Sequence, residues 1–302
     1  MSTASCVRQT RHLTGDDAWT TLRATGGIKL VRDAFVRLRA ADGFSHARSL
    51  AFAMSLIFVQ GLIALVGLAV ACGEVGLSRT ILGAIGHAVP GPAGSLLART
   101  FAQAQKLGFE HRWLPLVFGL GGTIVTVTTA TAQLTRGINR LYGIEKDGTF
   151  LHKYTRALFL AVLVLTAFVG AGAILTLGHH LSGVASHGRH FTWQVIRWPV
   201  ALGLAAAAYG GILCWAPRRQ QPQWSWLVFG GVIGVAGWTL VTVAFSVVVR
   251  ASSSFGEVYG PLAGVVALQI WTFFSAVAIL FGAAIAAQLE AVRSGSRSPR
   301  RA

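Results

Sequence analysis

Acidic residues are scarce in this chain, with ten Asp and Glu against 26 Lys and Arg, and charged residues of both signs make up only 12%. Soluble domains carry about 25% charged residues, so the composition argues against a soluble globular protein. The few carboxylates form no pair placed for two-metal or general acid–base chemistry. The motifs GxSxG, Walker A, HExxH and complete GxGxxG are also missing. We therefore predict no enzymatic activity, no bound metal and no cofactor.

Cysteine is nearly absent too. The chain contains three cysteines, Cys6, Cys72 and Cys214. Their spacing fits neither a metal or redox pair nor a disulfide framework. The first 26 residues contain no apolar run of the kind that a cleavable signal peptide requires. The first membrane helix is therefore expected to act as an uncleaved insertion signal.

Long uncharged runs dominate what is present: 53% of residues are hydrophobic and the mean hydropathy is +0.59. A helix of about 20 residues crosses the hydrocarbon core of a bilayer, and six charge-free runs reach that length. The sequence thus predicts an all-α, polytopic membrane protein. Its predicted spans are about 49–73, 113–135, 157–178, 198–217, 222–249 and 259–289.

A seventh uncharged run, Ile81–Ala98, contains Pro90 and Pro92. Because proline removes a backbone donor and clashes with the preceding turn, a clean spanning helix is not expected there. The run is predicted to be either interfacial or re-entrant.

The distribution of Lys and Arg sets the predicted orientation. With the N-terminus inside, 19 of the 26 basic residues fall on the cytoplasmic side, as the positive-inside rule requires. Both termini are then cytoplasmic, with a disordered segment 1–26, a membrane domain 27–292 and a basic tail 293–302. The net charge of +16 is thereby explained by topology, and no nucleic-acid partner is predicted.

A basic amphipathic helix is predicted over Gly27–Arg39, before the first span. Its apolar face is formed by Ile28, Val31, Phe35 and Leu38, and its other faces carry Lys29, Arg32, Arg37 and Arg39. Such helices lie on membrane surfaces, with basic residues beside anionic lipids. The predicted partner is the anionic headgroups of the cytoplasmic leaflet.

Several polar residues inside the predicted spans need hydrogen-bonding partners in lipid. Those taken as candidate cavity residues are Gln60, Thr126, Thr129, Gln133 and Gln269. They could line a substrate cavity, or Thr could bond to its own helix and Gln could bond across helices as structural contacts.

A stripe of small residues suited to close helix packing is formed by Gly230, Gly234 and Gly237. Its partner helix could belong to this chain, to a second copy or to another membrane protein.

Four stretches resemble the YihY / virulence factor BrkB family of bacterial inner-membrane proteins. They are SLAFAMSL at 49–56, GINRLYGI at 137–144, EVYGPLA at 257–263 and LFGAA at 280–284, the last preceded by Ile270–Trp271. The resemblance covers roughly residues 27–292. It implies an inner-membrane location with six helices. It adds Asn139, Tyr142, Tyr259 and Trp271 as site residues and Gly260 and Gly282 as packing residues.

The chain departs from the family pattern at three positions. Gln60 stands where the family has proline, and Ala284 and Ala286 stand where it has Glu and Asn. No catalytic carboxylate is therefore carried over. Members have also borne the name ribonuclease BN, and others are regarded as envelope or lipid transport factors. We expect a transporter or envelope-maintenance factor for a lipid or amphiphilic anion, or alternatively a non-transporting scaffold.

Overall fold

A computed structural model gives the fold of the chain. It describes residues 4–72, 95–96, 98–99, 102–103, 113–145, 150–181, 187–251 and 262–296. The predicted interfacial or re-entrant run 81–98 lies almost wholly outside the described residues, as do Tyr259, Gly260 and the end of the tail.

The architecture is all-α, as predicted, and the described part of the chain contains no β-strand. Its helices are α1 (Gly15–Thr25), α2 (Gly27–Ala40), α3 (Gly43–Cys72), α4 (Leu114–Leu141), α5 (Phe150–Leu181), α6 (His187–Trp215), α7 (Trp224–Ala251) and α8 (Ala263–Arg293). Each predicted span overlaps one of α3–α8.

Five of these helices contain described segments that are long and apolar enough to cross a membrane. The segments are Gly43–Leu65, Leu116–Leu141, Ile196–Trp215, Trp224–Val249 and Ala263–Arg293. The predicted span 157–178 falls in α5, whose described apolar segment is the shorter Tyr154–Ala167. Helix α6 begins at His187, earlier than the predicted span, and continues through Pro199.

Residues 4–26 have defined contacts where the sequence predicted a disordered segment 1–26. Thr14 caps α1 in a reciprocal capping box with Asp17, and Gly26 ends the helix with a φ of 82°. Before α1, Ala4 and Val7 are buried. A low content of apolar residues suggested disorder, but the capping box and two small buried side chains give this segment defined contacts.

Helix α2 matches the predicted amphipathic helix but buries a different face. Leu30, Ala34, Arg37 and Leu38 are buried, whereas Ile28, at 90% exposure, lies on an exposed apolar stripe with Val31 and Phe35. The sequence reading placed Arg37 among the exposed basic residues, and the structure corrects this. Spacings of four and three residues put Arg37 on the same helical face as Leu30 and Ala34.

The chain forms two compact units. Unit 1 comprises Met1–Arg48, Thr131–Trp238 and Ala276–Ala302, and unit 2 comprises Ser49–Ala130 and Thr239–Ser275.

Glycines permit close helix contacts inside unit 1. A Cβ added to Gly282 of α8 would come within 2.6 Å of the Gly234 Cα in α7, and one added to Gly230 within 2.7 Å of the Ala286 Cβ. Gly237 makes only an ordinary contact with Ala278. The glycine stripe of α7 therefore packs within its own chain.

Candidate functional site

Two arginine side chains are buried where helices of unit 1 end. Arg37, in the last turn of α2, has no exposed surface, and the Arg219 side chain, just after α6, is 3% exposed. Glu290, near the end of α8, is fully buried and pairs with Arg219. Guanidinium groups stay protonated at neutral pH, so two buried cations face one carboxylate. An unbalanced buried charge is costly unless a counter-ion approaches it.

The Arg37 guanidinium is held by three different parts of unit 1. Its Nε donates to Gln288 Oε1 at 2.8 Å, and its Nη1 donates to the carbonyls of Leu141 and Ser5, each at 3.1 Å. Its Nη2 makes no hydrogen bond. Burial lowers the pKa of Arg37 to about 10, although the nearby Glu290 acts in the opposite direction. Arg37 is therefore still a cation at pH 7.

Tyr142 lies against the second arginine. The Arg219 guanidinium carbon stands 4.6 Å from the centre of the Tyr142 ring, which is a cation–π contact. The Tyr142 hydroxyl is buried and makes no hydrogen bond, and neither does Glu290 Oε2. Burial raises the pKa of Tyr142, so its hydroxyl is a neutral donor. Most buried polar atoms are paired, and this group of side chains (Arg37, Tyr142, Arg219, Gln288 and Glu290), here called the arginine cluster, contains several that are not.

Asn139, taken from the family resemblance, positions this cluster. It is buried, and its Oδ1 accepts a hydrogen bond from the Arg218 backbone N–H at 3.1 Å. That bond ties the end of α4 to the short segment that carries Arg219. The structure thus brings Asn139 and Tyr142 together at one site.

Gln60, Gln269 and Trp271 lie in unit 2. Ser55 Oγ lies 2.8 Å from Gln269 Oε1, and the Trp271 indole N–H donates to Thr242 Oγ1 at 3.2 Å. Gln60 lies against Gly122, where an added Cβ would meet its Oε1 at 2.5 Å. These contacts are all neutral.

The threonines of α4 bond to their own helix. Thr126 Oγ1 donates to the Gly122 carbonyl at 2.7 Å, and Thr129 Oγ1, which is exposed, donates to the Val125 carbonyl at 2.8 Å. Gln133 is partly buried and belongs to unit 1. Such bonding within the helix is the structural alternative considered from the sequence.

Sequence reasoning missed Arg37, Arg219 and Glu290 as site residues. The available signals were weak: Arg37 shares a helical face with Leu30 and Ala34, and Glu290 is one of only ten acidic residues. Nothing in the local sequence pairs α2 with the ends of α4 and α8, since that pairing depends on tertiary structure.

Comparison with known proteins gives a consistent family match. The family model described as virulence factor BrkB matches residues 34–302. A ribonuclease-like protein of Bacillus subtilis, YfkH, is 24% identical over 215 residues, which cover 69% of this chain and 77% of YfkH.

Two relatives named UPF0761 membrane proteins also match. The one from Methylibium petroleiphilum is 28% identical over 62% of this chain and 44% of its own length. The one from Paraburkholderia xenovorans is 32% identical over 41% of this chain and 32% of its own length. The chain therefore spans less than half of these two relatives. No solved structure matches the chain.

Proposed function

Because the chain belongs to the virulence factor BrkB family of membrane proteins, we propose that it binds an anionic lipid, or a similar amphiphilic anion, at the arginine cluster, as a transporter or envelope-maintenance factor. One observation carries the proposal: two buried arginines face one carboxylate, and the Arg37 Nη2 and Tyr142 hydroxyl donors are unpaired. A phosphate group would accept from such donors and balance the excess charge.

The proposed topology has six spans, including α5, in the inner membrane with both termini cytoplasmic. Nineteen of 26 basic residues then face the cytoplasm. The exposed Ile28, Val31 and Phe35 of α2, flanked by exposed Lys29 and Arg32, suit a helix lying on an anionic membrane surface. The ends of α2, α4, α6 and α8 would bring the arginine cluster to the cytoplasmic leaflet, within reach of phospholipid headgroups.

The test compares two tyrosines in native-lipid nanodiscs. Tyr142→Phe removes a hydroxyl that has no partner, so folding should be unaffected or slightly improved while a donor to the anion is lost. Tyr209→Phe removes a hydroxyl that donates to the Ile279 carbonyl and serves as the matched control. Co-purifying lipids are quantified by mass spectrometry for both variants and the wild type.

We expect one class of anionic lipid to be enriched over the bulk membrane in the wild type and in Tyr209→Phe. In Tyr142→Phe the enrichment should fall by about tenfold or more, the value of one hydrogen bond to a charged group. Lipid profiles that match the bulk membrane in all three proteins would overturn the proposal.

The scaffold alternative needs an accessible surface for a partner helix. Gly230 and Gly234, the GxxxG pair of α7, contact Ala286 and Tyr209 of the same chain, which favours the anion-binding proposal. A stoichiometric membrane-protein partner in mild detergent, with no selective lipid, would favour the scaffold.

The name of the relative YfkH, a ribonuclease-like protein, suggests nuclease activity as a further alternative. Among the described residues no group of three or more His, Cys, Asp or Glu could hold a metal ion, and we propose that the chain is not a nuclease. Metal-dependent RNA cleavage by the purified protein, abolished by chelation, would overturn this.

A further inference from the structure

We infer that residues 4–14, here called the strap, act as a removable cover that competes with the anion for Arg37 and Arg219. This inference rests on the proposed function and adds a mode of regulation to it. The strap precedes the family-matched residues 34–302, whereas every side chain of the arginine cluster lies within them.

The strap occupies guanidinium donors with its backbone oxygens. The Ser5 carbonyl accepts from Arg37 Nη1 at 3.1 Å. The Val7 and Arg8 carbonyls accept from Arg219 Nη1 and Nη2, each at 3.3 Å. A phosphate at the unpaired Arg37 Nη2 would also accept from these neighbouring N–H groups, and as an anion it makes stronger hydrogen bonds than a neutral carbonyl does. The strap and an anion therefore cannot use these donors together.

Further contacts close the strap over Tyr142 and Glu290. The Val7 N–H donates to the Tyr142 carbonyl at 3.3 Å, and Thr10 Oγ1 donates to Glu290 Oε1 at 2.7 Å. Gly143 has a φ of 79°, and a Cβ there would lie 2.6 Å from the Cys6 Cα. A glycine after α4 thus lets the strap backbone approach closely.

The strap is attached in a way that permits release. Its buried apolar side chains are those of Ala4 and Val7, which are small, so little apolar surface is exposed when it leaves. Its two arginines, Arg8 and Arg11, are exposed, so their side chains are not buried when the strap is closed. Segments with few buried apolar contacts open most readily.

The experiment follows tryptic cleavage after Arg8 and Arg11 in the full-length protein, by mass spectrometry of the released N-terminal peptide. Short-chain phosphatidylglycerol, inorganic phosphate and short-chain phosphatidylcholine are titrated separately. Thr10→Val removes the bond to Glu290. Thr20→Val is the matched control, because the Thr20 hydroxyl bonds only to the Asp17 carbonyl within α1. Gly143→Ala is a second strap variant, in which the new Cβ displaces the Cys6 backbone.

We expect phosphatidylglycerol to raise wild-type cleavage in a saturable manner and phosphatidylcholine to leave it unchanged. Thr10→Val and Gly143→Ala should raise cleavage without lipid. They should also tighten phosphatidylglycerol binding by roughly tenfold, the value of a hydrogen bond to a charged group, while Thr20→Val behaves as wild type. If inorganic phosphate raises cleavage as much as phosphatidylglycerol does, the inference about the strap is supported and free phosphate is identified as the ligand.

Two outcomes would overturn the inference, and they are distinguishable. If phosphatidylglycerol binds all variants equally and cleavage never changes, the strap is a fixed part of the fold and the proposed function stands. If no variant binds either phosphatidylglycerol or phosphate, both the proposed anion site and the inference about the strap are wrong.

Discussion

The buried polar groups of the two units differ in charge. In unit 1 they include Arg37, Arg219 and Glu290, with one cation in excess. Among the described residues of unit 2 they are the neutral Thr123, Thr272 and Ser275, and the Thr123 hydroxyl donates to the Gly119 carbonyl. A neutral hydroxyl on a helix can satisfy itself on its own backbone, whereas a buried charge requires a counter-charge. This difference in charge is the reason for proposing the anion site in unit 1 and not in unit 2.

Removing the carboxylate from unit 1 should have the largest effect on stability. Glu290→Ala leaves Arg219 and Arg37 as two buried cations, and breaking such a pair costs about 3–5 kcal/mol. Glu290→Gln should cost less, because an amide oxygen can still accept from Thr10. Thermal unfolding followed by tryptophan fluorescence measures both variants. If Glu290→Ala lowers the free energy of unfolding by less than about 1 kcal/mol, the arginine cluster is hydrated. The difference in buried charge between the two units is then weaker than we infer.

Helix packing should dominate the stability of unit 2. A Cβ at Gly119 would lie 2.3 Å from the Ala64 backbone nitrogen, whereas one at Gly121 meets nothing within 4 Å. We expect Gly119→Ala to destabilise by about 1–3 kcal/mol through overpacking. Gly121→Ala should be neutral or stabilising by up to about 1 kcal/mol. Equal unfolding temperatures for the two variants would contradict the close contact between α3 and α4.

The sequence predicted the helices well because length and lack of charge are local properties. Each predicted span overlaps a helix, and the amphipathic helix predicted at 27–39 is found at Gly27–Ala40. The disorder predicted for the N-terminal segment did not take into account the capping box that Thr14 and Asp17 form.

The arginine cluster was harder to predict because its partners are far apart in sequence. Arg37 meets Gln288 and Leu141, and Arg219 meets Glu290. The basic amphipathic pattern of α2 predicts that Arg37 is exposed. Its burial results from the tertiary contacts of the helix. Asn139 and Tyr142 came from the family resemblance, and no local property of these residues shows their proximity to the arginines.

A double-mutant cycle can test whether the Ser55 and Gln269 contact of unit 2 is only structural. Hydrogen bonds between membrane helices contribute about 0.6 kcal/mol on average. We expect a coupling energy near that value between Ser55→Ala and Gln269→Leu, and lipid enrichment as in the wild type. Loss of selective lipid from the double variant would move the ligand site toward unit 2.

The smallest effect is expected at the exposed ion pair of unit 1, where Arg293 Nη2 lies 2.8 Å from Asp17 Oδ1 and both side chains are partly exposed. Arg293→Gln should lower the unfolding temperature least among the destabilising variants, and added salt should remove the difference. The pKa of Asp17 is lowered chiefly by the Thr14 backbone N–H and less by Arg293. The stabilisation from this carboxylate is therefore present at neutral pH and is lost as pH falls through its folded pKa, below 3.8. That acid-dependent loss should persist in Arg293→Gln and diminish in Asp17→Asn. If Arg293→Gln lowers the unfolding temperature as much as Glu290→Ala does, and added salt does not reduce this change, solvent exposure does not explain a difference in strength between the Arg293–Asp17 and Arg219–Glu290 ion pairs.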